Sequence, residues 1–110
     1  METTVTYQIS ITRPAEEQFL ANFRWIQERS TQGAASWRDQ IIQGIQSLAQ
    51  NPERFPLARE NPSFAITLRH VLIGKGTSLF RIIFTIHEQE VRILAIMRGT
   101  KLGLDANDPP

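Results

Sequence analysis

The sequence predicts an α+β domain with the element order β-α-α-β-β-β, a mainly antiparallel four-stranded sheet carrying a helical hairpin on one face. Three observations carry this reading. Apolar residues recur at helical spacing between Ala15 and Leu48. They alternate with period two from Ala65 to Arg98. A proline-rich stretch, residues 52–64, separates the two regimes. The 110 residues match the size of one domain, placed at residues 1–101. Residues 102–110, "LGLDANDPP", are expected to fray, because Asp, Asn, Gly and Pro favour no regular element.

The elements follow in order. In "TVTYQISI", Val5, Tyr7, Ile9 and Ile11 alternate with Thr4, Thr6, Gln8 and Ser10, the pattern of a half-buried strand. Thr12 then caps a helix with Pro14 in its first turn and Glu16 and Glu17 at the positive end of its dipole. Ala15, Phe19, Phe23 and Ile26 form one face, and the helix ends near Arg29. Ser30 or Thr31 caps a second helix with Ala34, Trp37, Ile41, Ile45 and Leu48 as its stripe, and "QNPERFP" ends it. The Ala34–Ala35 pair lets the two backbones of an antiparallel hairpin approach. Residues 52–64 read as a surface connection. Three strands follow, "AITLRHVLI", "LFRIIFTIH" and "EVRILAIMR", joined by the glycine-containing "GKGTS" and by a short turn at His87–Gln89.

Two arginines, Arg69 and Arg81, stand inside strands otherwise made of Leu, Val, Ile and Phe. An unpaired buried guanidinium costs several kcal/mol, so each needs a reason. Alternation puts Phe80, Ile82, Phe84 and Ile86 under the helices and Arg81 with Ile83 on the opposite face. Arg69, Val71 and Ile73 are expected to share that open face, as are Leu94, Ile96 and Arg98, while His70 falls on the helix side. An apolar face studded with arginines marks a binding surface. The competing reading is structural, with Arg69 and Arg81 paired to Glu60, Glu88 or Glu90 across the sheet.

Composition narrows the classes of function. The net charge of +1 excludes a globally basic nucleic-acid binder. Residues 68–101 nonetheless hold six basic side chains against Glu88 and Glu90, which suits an acidic partner. The absence of cysteine excludes disulfides and Cys-ligated metal, and no metal site or cofactor is expected. No signal peptide or membrane-length apolar run is visible, so a cytoplasmic protein without a membrane partner is expected.

The order of elements, together with "TRPAEEQFLANFRWI", "AASWRDQIIQGIQSLAQNPERFP", "LRHVLIGKGTSLFRIIFTI" and "VRILAIMRGTK", resembles the RelE/ParE superfamily of bacterial type II toxins from about Tyr7 to Lys101. The resemblance implies a small toxin neutralised by a cognate antitoxin that folds as it binds, with room for a higher-order toxin–antitoxin assembly. Arg69, Val71, Arg81, Ile83, Arg98 and Lys101 are then the expected antitoxin- or target-binding residues.

The superfamily implies two activities. ParE-like members inhibit DNA gyrase by binding, and the long hairpin with its Ala-pair helix resembles that branch. RelE-like members cleave mRNA on the ribosome, which needs a base, an acid and cations. That alternative would draw on His87, Arg81, Arg98 and Lys101. The tail contains no Tyr, His, Lys or Arg after Lys101, and Tyr7 lies on the apolar face of the first strand. Gyrase inhibition is therefore favoured, with the RNase or an inactive toxin-like binding module as alternatives.

Overall fold

The computed structural model describes residues 5–61 and 65–99. Their order is β1 (Gln8–Ile11), α1 (Arg13–Gln27), α2 (Thr31–Ser47), a 3-10 turn at Pro52–Arg54, β2 (Arg69–Ile73), β3 (Phe80–His87) and β4 (Glu90–Arg98). The sheet order is β1-β4-β3-β2. β2, β3 and β4 form an antiparallel meander, and β1 joins its edge parallel to β4, so the sheet is mixed. Both proposed domain limits, Lys101 and the 102–110 tail, lie outside the described residues.

Local chemistry sets the helix ends. Thr12 accepts from the Ala15 amide at 3.4 Å and donates to the Ile93 carbonyl at 2.8 Å, so one hydroxyl starts α1 and ties it to β4. Ser30 accepts from the Gly33 amide at 2.9 Å and starts α2. α1 lies over β4 and α2 over β2. Phe19 stacks on Trp37, with ring centroids 5.1 Å apart, which ties the two helices together. At buried Gly44 a Cβ would lie 2.5 Å from Ile73 Cδ1, so a side chain there would have to displace the Ile73 side chain for α2 to keep this close approach to β2.

The helix-side core holds Trp37, Ile41, Leu48, Phe80, Ile82, Phe84, Val91, Ile93 and Ile96, with Val71 and Ile73 packed against it. A smaller cluster of Ala58, Leu68, Ile83, Ala95 and Met97 fills the opposite face. These two clusters, together with the strand register, correct the expected faces of β2 and β4. In the β2–β3 hairpin, Arg69, Val71 and Ile73 pair with Phe84, Ile82 and Phe80 and so share the helix side. His70 and Leu72 take the other face with Arg81 and Ile83. Alternation defines two faces of a strand, but only the register across the loop says which is which.

In β4 a bulge opposite Ile83 and Phe84 makes Leu94 an extra residue. Alternation reverses beyond it, so Ile96 and Arg98 turn to the helix side while Leu94 stays with the smaller cluster. β1 stops at Ile11, level with Ile93, and the Gln18 side-chain oxygen of α1 accepts from the Ile96 amide at 2.8 Å where a longer β1 would have paired.

The connection after α2 is also more than a surface loop. Pro52, Ala58 and Glu60 are buried. Ala58 donates to the Leu68 carbonyl at 2.8 Å, and the His70 amide donates to the Pro56 carbonyl at 3.2 Å, stitching residues 56–58 to the edge of β2. The Leu68 amide donates to Asn61 Oδ1 at 2.8 Å. Residues 56–61 therefore form a strap along the β2 edge.

Candidate partner-binding surface

Arg81 is 2% exposed. Its two terminal nitrogens donate to the two carboxylate oxygens of Glu60 at 2.8 and 2.7 Å, a bidentate pair that fixes the strap to the sheet. Its Nε donates to His70 Nδ1 at 3.2 Å. That contact fixes the imidazole as an acceptor at Nδ1. The His70 pKa lies below its ordinary value, first because burial disfavours the imidazolium and then because Arg81 repels it. Arg59 adds to the depression and Glu60 opposes it.

The expected open, arginine-studded face is thus absent from this fold. Ile83 is fully buried, and Arg81 is committed to Glu60, the structural pairing named above as the competing reading. Arg69 donates to the carbonyls of Phe55 and Glu53 at 2.7 and 3.2 Å, holding the 3-10 turn against β2. Val71 packs into the helix-side core.

Arg98 is placed differently. It ends β4 opposite Phe80 on the helix side. Its guanidinium carbon lies 4.5 Å from the centre of the Trp25 indole, and that of Arg29 lies 3.7 Å from the same ring. Arg29 sits one helical turn after Trp25 and donates to the Trp25 carbonyl at 2.7 Å. Trp25 itself is 44% exposed, an unusual state for the largest apolar side chain.

Trp25 and Arg98 form the wall between two grooves. One, of about 440 Å³, runs between the hairpin turn and the sheet end and is lined by Ile26, Gly33, Ser36, Trp37, Gln40, Ser78 and Phe80. The other lies along α1 beside Pro14, Glu17, Gln18, Ala21 and Asn22. Trp37 contributes a further feature. Its ring is packed between Phe19 and Phe80, and its Nε1–H is buried without an acceptor among the described residues. An unmet buried donor of this kind costs about 1–3 kcal/mol.

The residues considered for RNA cleavage do not come together. His87 is exposed at the end of β3, where Glu88 takes φ 56° in a two-residue turn. Arg98 stands at the other end of the same strand pair, opposite Phe80. Seven residue steps at about 3.3 Å each separate the two ends by roughly 23 Å. Arg81 is buried between them, and Lys101 lies outside the described residues. No group of His, Asp or Glu among the described residues is arranged to hold a metal.

Trp25 and Arg29 escaped the reading of the sequence. Their only signal was an i, i+4 aromatic–cation spacing off the apolar stripe of α1. Strand alternation marks Arg98 but places it on the open face, whereas the β4 bulge turns it to the helix side.

The fold is that of a small α+β protein whose helical hairpin covers one side of a mixed sheet. The family described as "ParE toxin of type II toxin-antitoxin system, parDE" matches residues 9–103. The chain belongs to this family of ParE toxins, and membership implies an antitoxin partner. A search of curated proteins found no significant match. Among the described residues, no helix is long and apolar enough to cross a membrane.

Proposed function

We propose that this chain is a toxin that arrests growth by binding and inhibiting DNA gyrase in the cytoplasm, and that its cognate antitoxin neutralises it. The observation that carries this reading is the ParE family match over 95 of 110 residues, from 9 to 103. The geometry is in keeping with a binding mechanism. His87 and Arg98 stand at opposite ends of β3 and β4, whereas general acid–base catalysis needs its groups within hydrogen-bond reach of one reacting bond. The contact residues offered to a partner are Arg98 and, beyond the described residues, Lys101.

Pulse labelling after induced expression tests the reading. Thymidine incorporation is expected to fall before methionine incorporation. An early fall in methionine incorporation instead would favour the ribosome-dependent RNase and return attention to His87.

A further inference from the structure

The corner built by Trp25, Arg29 and Arg98 has chemistry that its place in the fold does not require. Trp25 lies off the core, and nearly half of its surface faces solvent. Arg98 makes no ion pair among the described residues. The groove that both residues share with Trp37 is lined by no aspartate or glutamate. Aromatic and arginine side chains that stand exposed together are the usual anchors of protein interfaces. Arg29 is already paired with Glu28 at 3.8 Å, and Glu17 lines the second groove, whereas Arg98 has no ion-pair partner among the described residues, so the component that fits Arg98 is an anionic one. The apolar side chains of Ile26, Trp37 and Phe80 in the groove fit an anion carried beside an apolar group.

We infer that the Trp25–Arg98 corner is where an acidic, amphipathic segment of the antitoxin docks, with an apolar side chain in the groove and a carboxylate on Arg98. The inference rests on the toxin–antitoxin reading and adds the location and chemistry of the contact. The carboxylate forms a charge-assisted hydrogen bond with the Arg98 guanidinium, and Trp25 shields that bond from water. The two tryptophans of the chain both lie at this site, so its occupancy is visible in intrinsic fluorescence.

The test uses the full chain and the full-length antitoxin encoded beside it. Trp25→Ala and Arg98→Gln are each expected to weaken the complex at least tenfold while thermal midpoints stay within a few degrees. Arg92→Gln, an exposed cation outside both grooves, is the control and leaves affinity unchanged. Replacing antitoxin carboxylates one at a time by their amides is expected to identify one whose loss weakens the wild type but not Arg98→Gln. A complex that forms with unchanged affinity for both variants overturns the docking site and leaves the toxin–antitoxin reading intact. Failure of the wild-type chain to bind the antitoxin at all overturns that reading itself. Self-association of the chain that Arg98→Gln abolishes would make a second copy the occupant and would also overturn the proposal.

Discussion

Two arginine sites in this molecule have similar sequence settings and opposite fates. Arg81 lies mid-strand, 2% exposed, with its terminal nitrogens on Glu60 and its Nε on His70. Arg98 ends the neighbouring strand against an exposed tryptophan and has no carboxylate partner among the described residues. The first closes the strap at residues 56–61 over the sheet. The second has no such partner among the described residues and is the one proposed to meet the antitoxin. An arginine within an apolar strand is therefore no sign of a partner in itself. What separates the cases is whether the fold already answers its donors.

The largest expected effect is at the closed site. Removing Glu60 or Arg81 alone, by alanine, leaves one charge buried and should cost about 3–5 kcal/mol. Urea unfolding measures it. The paired replacement Glu60→Leu with Arg81→Met removes both charges and should recover most of that loss. A double variant as unstable as either single one would mean that the pair does more than satisfy itself. At the open site, Trp25→Ala should change stability by no more than about 1 kcal/mol, since the ring is well exposed and its cation–π contacts are weak there.

Protonation of His70 offers a finer probe of the closed site. Its folded pKa lies below the ordinary 6.5, so as pH falls through about 6.5 the unfolded chain takes up the proton first and stability declines. The decline ends below the folded pKa. In His70→Gln this part of the pH dependence should disappear. Equal slopes for wild type and variant between pH 7 and 5 would show that neither burial nor Arg81 depresses the His70 pKa in the fold. The smallest expected difference is between the helix caps. Ser30→Ala should cost about 1 kcal/mol, and Thr12→Ala more than that, because Thr12 also holds the Ile93 carbonyl.

Much of this was legible in the chain. The stripe from Ala34 to Leu48, the caps at Thr12 and Ser30 and the three alternating strands predict the architecture through local rules, and local rules suffice for elements. Three features depend on non-local facts. The side taken by Arg69 and Val71 is set by pairing across a six-residue loop, Gly74–Leu79, which strand periodicity does not fix. The reversal at Arg98 comes from a one-residue bulge at Leu94, supported by Thr12 and Gln18 from another element. The strap carries no periodicity because it is held by Glu60, Asn61 and main-chain bonds to β2 rather than by an apolar face. Trp25 was hidden for the opposite reason, as an apolar residue off the stripe leaves no mark in the pattern.

The most direct measurement of the central claim is DNA supercoiling by purified gyrase in the presence of the purified chain. The account predicts inhibition that rises with chain concentration and is reversed by stoichiometric antitoxin. Unimpaired supercoiling, together with cleavage of mRNA on purified ribosomes by the same preparation, would contradict it.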